Sequence, residues 1–426
     1  MKRLRVLMSA YACEPNKGSE PAVGWNFARE MAKYHDVWVL TRANNKGPIH
    51  EWLAVHEATR LSFIFYDLPD ACLWLKRRPA GIQIYYYLWQ IGAYFSAKRH
   101  HAAIKFDLIH HVTFVKYWAP SFLALLPVPF LWGPVGGGES TPPAFTREFS
   151  VYGRIYEALR SSAQWLGQKD PFVRLTATRS RLSLATTKET GDRLHALHAK
   201  RVEILTQCGI GQQTLTNVVR SRPPGHVPVF VSIGNLLHLK GFHLGMQAFA
   251  QAHLGQQAEY WIIGDGPERT RLRELARSLG IQDRVRMWGK LSPPETLDRL
   301  AQADVLVHPS LHDSGGFVCL EAMAAGKPVV CFDQGGPGAI VAPDAGIKIF
   351  PHTPEQAIKH MADAMVRLAM DDTLRERMGK AGQEVVTREY TWERKGLLMA
   401  RFYDQVMGLE GDAPNQVHVL KATSAQ

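Results

Sequence analysis

Short apolar runs alternate with longer segments whose apolar residues fall three and four positions apart, and this alternation sets the expected architecture. In the first half, the runs at 4–9, 37–41, 61–66, 107–112, 129–132, 182–186 and 202–206 read as strands, with helical patterns such as 21–34 between them. Strand, helix, strand at this rhythm predicts parallel βαβ units with right-handed crossovers. Periodicity fades over 212–227, where Arg220-Ser-Arg-Pro-Pro-Gly-His226 has linker composition. The pattern restarts with strands at 229–233, 260–263, 285–288, 305–308 and 329–332 and helices at 242–252, 268–279 and 294–302, followed by helical stretches at 354–370 and 373–389.

The expected fold is α/β: two Rossmann-like domains, residues 1–211 and 228–390, joined by a linker at 212–227 and facing each other across a cleft. Residues 142–168 read as an aromatic-rich helical insertion in the first domain. A last helix, 391–408, has no strand after it and is expected to cross back onto the first domain, leaving 409–426 as a flexible tail.

With 46% hydrophobic and 21% charged residues in 426, the chain has enough apolar material for two or three domains with sizeable cores. The formal charge of +11 favours a polyanionic partner: phosphorylated substrates, an anionic bilayer or nucleic acid. Nucleic acid is not expected, because no basic run with interleaved aromatics and no zinc-finger spacing is present. Five dispersed cysteines without a C-x-x-C pair suit a reducing compartment and read as small buried apolar side chains. Residues 1–9 read as a first strand rather than a secretory signal, so the expected location is the cytoplasm.

One segment complicates that reading. Residues 79–97 carry no charge and are flanked by Lys76-Arg77-Arg78 and Lys98-Arg99. Pro79, Gly81 and Gly92 argue against a bilayer span, while Tyr85-Tyr86-Tyr87 and Trp89 are residues of membrane interfaces. A buried or hairpin helix, a membrane-surface helix and a span stay open. Together with the basic balance, the segment makes an anionic membrane surface a candidate partner, with the protein peripheral at the inner face.

The most informative stretch for chemistry is His308-Pro-Ser-Leu-His-Asp313-Ser-Gly-Gly-Phe-Val-Cys-Leu-Glu321, a strand end, a Gly-bearing loop and a helix start with a carboxylate at each end. Free amides at a helix start favour an anion, and Glu321 is placed to accept from a ribose diol. The plainer alternative is a helix cap at Asp313 or Ser314 with Glu321 on a solvated face. Gly234-Asn235-Leu-Leu-His-Leu-Lys240-Gly follows the first strand of the second domain, so Lys240 would add a charge to amides already suited to phosphate. Gly264-Asp-Gly-Pro267 and Asp333-Gln-Gly-Gly-Pro-Gly338 are glycine loops expected at the same sheet edge. In the first domain Gly18-Ser-Glu20 stands where a Rossmann phosphate loop would, without G-x-G-x-x-G or P-loop spacing. His110-His111 closes a strand, and since neighbouring residues point to opposite faces, at most one reaches a substrate directly. No zinc-type ligand spacing and no strand-end Asp-x-Asp occur, so neither a metal nor a cofactor is expected.

On these motifs the chain resembles the group 1, or family 4, retaining glycosyltransferases of the GT-B fold. Asp313 through Glu321 resembles the family's E-x7-E element, with Asp313 in place of its first Glu. The segment Gly234 to Gly241 resembles its G-R-x-x-x-x-K-G element, with Asn235 in place of Arg. Asp107-Leu-Ile-His-His-Val resembles D-x-x-H-x-H, with Val112 at the second His. Gly18-Ser-Glu-Pro and Gly133-Pro-Val-Gly-Gly-Gly-Glu139 resemble first-domain loops of a bacterial subgroup in which surface-polysaccharide assembly is a common role.

The resemblance implies a nucleoside-diphosphate sugar donor, held at its diphosphate by Lys240 and at its ribose by Glu321. Asp313 with the amides of Gly316 and Phe317 would hold the transferred sugar, with Gly18, Gly234, Asn235 and Gly264 lining the donor site. His111, Asp313 and Glu321 are the implied catalytic residues, and Glu20, His110 and Glu139 the acceptor-side residues. The implied reaction is metal-independent transfer, with retention, to a glycan or lipid-linked glycan in polysaccharide biosynthesis. A nucleotide-sugar epimerase of the same fold and a non-catalytic sugar-nucleotide binder are the alternatives.

Overall fold

The computed structural model describes residues 2–77, 79–211, 227–255 and 258–409. Most of the expected linker and all of the tail beyond residue 409 lie outside the described residues. The chain forms two compact units. The first comprises Met1–Gly138, Ser162–Gln207 and Glu393–Gln426; the second comprises Glu139–Ser161 and Cys208–Trp392.

The first unit is built on a parallel sheet of β1 (Arg5–Ala10), β2 (Asp36–Thr41), β3 (Leu61–Phe65), β4 (Leu108–Thr113), β5 (Phe130–Val135), β6 (Leu182–Ala185) and β7 (Val202–Ile204). Its order is β3-β2-β1-β4-β5-β6-β7. β4 and β5 are buried along their full length, as near-continuous apolar strands covered on both faces must be. Strand order reverses between β1 and β4, so the loops that leave these two strands open the crevice where an α/β sheet binds ligands.

The helix Pro79–Ile104 resolves the uncharged segment. Tyr85, Tyr86 and Trp89 are buried in the first unit's core with Tyr11 and Tyr117. Their burial supports the buried-helix alternative over a membrane-surface one for these three aromatics, and among the described residues no helix is long and apolar enough to cross a membrane. The final helix, Trp392–Met407, packs from Glu393 onward on the first unit. There Tyr403 meets His110 of β4, Arg181 donates to the Val406 carbonyl at 2.9 Å, and Lys395 donates to the Thr206 carbonyl.

The second unit repeats the scheme with β8 (Val229–Ile233), β9 (Glu259–Ile263), β10 (Val285–Gly289), β11 (Val305–His308), β12 (Val329–Phe332) and β13 (Gly346–Ile349), all parallel, in the order β10-β9-β8-β11-β12-β13. Here the order reverses between β8 and β11. The edge strand β13 escaped the sequence reading because four residues, two of them half-buried, carry too little periodicity. Gly335–Ile340, expected as a glycine loop, is a short helix with Pro337 inside its first turn, a position that needs no proline N–H.

The aromatic-rich insertion departs from expectation in a second way, since its first part, Glu139–Ser161, groups with the second unit. Phe145 and Phe149 enter the second unit's core beside Phe230, Leu236 and Phe242, and Arg271 donates to the Glu148 carbonyl at 2.5 Å. Amphipathic spacing says that a face will be buried, but not against which core.

Candidate functional site

The loops leaving β8 and β11 are tied to one another by their backbones. The Leu311 amide donates to the Leu239 carbonyl at 2.8 Å. Gly241, with φ 64°, brings its chain so close to Pro309 that a Cβ would stand 2.0 Å from that carbonyl oxygen. Only glycine fits there, both for the left-handed backbone and for the approach. On the other side of the β8 loop, Gly264 lies so near Gly234 that a Cβ would meet the Gly234 carbonyl oxygen at 1.9 Å.

This pairing brings Lys240 to Asp313, with Nζ 2.5 Å from Oδ2. His308 Nε2 is 3.3 Å from the same oxygen, while Oδ1 accepts from the Gly315 and Gly316 amides at 3.0 and 3.2 Å. Burial pushes the Asp313 carboxyl up, but Lys240 and His308 outweigh it and hold the group well below the usual carboxylate range. Burial lowers the pKa of His308, with Asp313 opposing. The Gly316 amide, assigned to the sugar on sequence grounds, is thus already taken by Asp313. The amides of Phe317 and Val318, which open the helix Phe317–Ala324, have no acceptor among the described residues. A helix start with unpaired amides next to a lysine favours an anion.

Glu321 stands on that helix, half-buried, with no hydrogen-bond partner or ion pair among the described residues. Burial raises its pKa to about 7. An unpartnered carboxylate in this position is open to ligand hydroxyls. The plainer helix-cap alternative holds in part: Asp313 does satisfy the loop amides, but Glu321 does not lie on a solvated face. Asn235 is exposed at the mouth of the β8 loop.

Glu139 is not on the first unit's side. Its Oε2 accepts from Ser314 Oγ at 2.5 Å, directly beside Asp313, because the chain has left the first sheet by this point. Glu157 Oε1 accepts from His238 Nε2 at 3.2 Å and His312 Nε2 at 3.0 Å, one histidine from each of the two ligand loops. Burial pushes the Glu157 carboxyl up, but the two histidines bring it down to about 2.

In the first unit, His110 and His111 point to opposite faces of β4. His110 donates from Nε2 to the Gly133 carbonyl at 2.6 Å and accepts at Nδ1 from the Tyr403 hydroxyl at 2.7 Å. Both nitrogens are therefore spent, Nδ1 on the last helix and Nε2 on β5, and burial lowers the pKa to about 4. This corrects its assignment to an acceptor. His111 faces the helix Pro79–Ile104, with Nε2 3.1 Å from the Tyr86 hydroxyl and 3.3 Å from Gln90 Nε2. Burial, with His110 beside it, takes it down to about 3. At neutral pH it is an uncharged hydrogen-bonding group and a poor proton acceptor, so its assigned catalytic role narrows to positioning. Glu20 begins the helix Glu20–Ala32 and accepts from the Phe114 amide at 2.9 Å; burial raises its pKa, against that bond. Gly18 is exposed in the loop leaving β1, with open space where a Cβ would be.

Residues 216–385, which contain both ligand loops and Glu321, match the family described as glycosyl transferases group 1. Over these residues the chain is similar to the group 1 glycosyl transferases. The lipopolysaccharide core biosynthesis glycosyltransferase LpsE of Rhizobium meliloti (strain 1021) is 31% identical over 186 residues, 43% of this chain and 52% of that protein. The chain spans about half the length of the curated relatives it matches. Among solved structures, sucrose-phosphate synthase from Thermosynechococcus elongatus superposes with a TM-score of 0.66 at 18% identity, over 96% of this chain and all of that one. Anabaena HepE, solved in complex with UDP and glucose, superposes with a TM-score of 0.61 at 17% identity over 95% of this chain and all of that one. These matches establish the α/β fold with two Rossmann-like domains, of GT-B type.

Within residues 216–385, His308, His238 and His312 lie in the motifs but had no role assigned from sequence. Their signal was position alone, one to five residues from Lys240 or Asp313. Glu157 gave no sequence signal, since it lies far outside the region and on a helix whose partner could not be read. Among the described residues no group of three or more His, Cys, Asp or Glu is arranged to hold a metal ion.

Proposed function

We propose that the protein is a retaining glycosyltransferase that moves a sugar from a nucleoside-diphosphate sugar to a glycan or lipid-linked glycan in surface-polysaccharide or lipopolysaccharide biosynthesis, acting at the inner face of the membrane. The observation that carries this is the convergence of Lys240, Asp313, the unpaired Phe317 and Val318 amides and the unpartnered Glu321 at the strand-order reversal of the second sheet. Diphosphate suits the lysine and amides; ribose hydroxyls suit Glu321 in its ionised form; sugar hydroxyls suit Asp313, whose neighbours keep it ionised.

In this reading the bond between the anomeric carbon and the diphosphate oxygen breaks as the acceptor oxygen bonds to the same face. The acceptor proton passes to a phosphate oxygen of the departing diphosphate. Lys240 and the helix amides stabilise the charge that grows on the leaving group, the electrostatic contribution that most lowers such a barrier. The protein's own groups supply that stabilisation, so the reaction is proposed to need no metal or cofactor. The first unit is assigned the acceptor, with Glu20 and the Tyr86–His111 pair as positioning groups.

The test begins with a thermal-shift screen of nucleotide sugars against the full chain, since a ligand that binds only the folded state raises stability with the logarithm of its concentration. The stabilising donor is then incubated with candidate acceptors, with and without EDTA, and the product anomer is read by NMR. Transfer in EDTA to a product of unchanged anomeric configuration is expected. Epimerised free donor, inversion, or loss of activity in EDTA would each overturn the corresponding part of the reading.

A further inference from the structure

The helix Val151–Lys169 is seated against its own amphipathicity. Through Ser161 the side packed on the second unit is polar or small. Glu157 accepts from His238 and His312, Arg160 donates to the Glu139 carbonyl at 2.9 Å, and Gly153 is so close that a Cβ would stand 2.9 Å from the His238 ring. The opposite side carries Val151, Tyr152, Ile155 and Leu159, exposed by 63%, 65%, 55% and 67%, and at its edge Tyr156, 45% exposed with its ring edge-on to that of His238. At one turn per 3.6 residues these five span about 140° of arc, a continuous apolar stripe. Single exposed hydrophobic residues are ordinary on a protein surface; five on successive turns of one helix mark an interaction face. The helix cannot roll to bury them without withdrawing Glu157 from two histidines.

We propose that this stripe docks on an anionic lipid bilayer. Tyr152 and Tyr156 each present an apolar ring and a polar tip, the combination suited to the boundary between acyl chains and headgroups. On the same helix the exposed charge next to the stripe is Arg154, and Arg147 just before the helix is also exposed, whereas the carboxylates of residues 143–161 are half-buried, Glu148, or buried against histidines, Glu157. A chain of net charge +11 adds long-range attraction of the same sign. The inference deepens the proposed function, and rests on it only for the reason to be at a membrane, a lipid-linked acceptor.

The test is sedimentation of the full chain with phosphatidylcholine vesicles containing about one third phosphatidylglycerol, against phosphatidylcholine alone. Wild type is expected to pellet with the anionic vesicles, and the double variant Ile155→Glu, Leu159→Glu to lose at least about 10-fold in partition coefficient, with Tm and nucleotide-sugar thermal shift unchanged. Wild type remaining in the supernatant, or a double variant that pellets equally well, overturns the proposal. So does a lipid-free wild type that is dimeric by light scattering while the double variant is monomeric, which would make the stripe a contact between two copies. Failure of the glycosyltransferase reading would appear separately, as the absence of any nucleotide-sugar shift.

Discussion

Lys240 Nζ and Asp313 Oδ2 stand 2.5 Å apart although 73 residues separate them in sequence. The pair joins the loop after β8 to the loop after β11, the two strands between which the second sheet reverses its order. Each charge is therefore balanced by the other across the two loops.

Removing the ammonium leaves Asp313 to His308 and two amides, and in the proposed function leaves the donor diphosphate with helix amides alone. Lys240→Ala is expected to reduce kcat/KM for the donor at least about 10-fold, about 1.4 kcal/mol of transition-state stabilisation. Steady-state kinetics with the donor found in the screen would measure it, and wild-type values would remove Lys240 from the site.

Glu321 sets a pH dependence. Its folded pKa, about 7, lies above the ordinary value of 4.5, so ionisation opposes folding: the stability associated with the protonated form is complete below pH 4.5 and is lost as pH rises through 7. Only the ionised form accepts from two ribose hydroxyls. Donor affinity is therefore expected to rise with pH through about 7 in wild type and to stay flat and weak in Glu321→Gln. Calorimetric titration from mildly acidic to mildly alkaline pH would show whether the two curves diverge.

The His110–Tyr403 hydrogen bond holds the last helix on the first unit. Tyr403→Phe leaves His110 Nδ1 buried without a donor and is expected to destabilise the protein by about 1–3 kcal/mol, while nucleotide-sugar binding persists. Urea unfolding and thermal shift on the same preparation separate the two effects; unaltered stability would mean that the bond contributes little.

Glu157→Ala takes the acceptor from His238 and His312 at once, and a loss of about 1–3 kcal/mol is expected at neutral pH. Because the Glu157 pKa is depressed from 4.5 to about 2, its stabilising contribution is present above pH 4.5 and fades as pH falls toward 2. The stability gap between variant and wild type should therefore narrow across that window. A gap independent of pH would assign the loss to packing instead.

Much of the architecture could be read before any coordinates, because βαβ alternation is local: each strand and helix declares itself in its own residues. The loops at strand ends, with Lys240, Asp313 and Glu321, follow from that alternation, since ligands of such sheets gather at carboxyl ends of strands. The surroundings of two first-unit residues depend on distant partners that a local pattern does not name. His110 and His111 differ only in which face of β4 they occupy, and what covers each face is supplied by Tyr403 on one side and Tyr86 with Gln90 on the other.

The sequence by itself determined two doubly wound parallel units and the loops that carry the charged groups, because spacing and turn chemistry are properties of neighbouring residues. Only the tertiary structure decided that Glu139 sits at Ser314, that Tyr85 and Trp89 are core, and that Glu157 holds a helix with its apolar stripe turned outward. Those outcomes depend on which surface each face meets, and a hydrophobic pattern records the need for burial or contact without recording the partner that provides it.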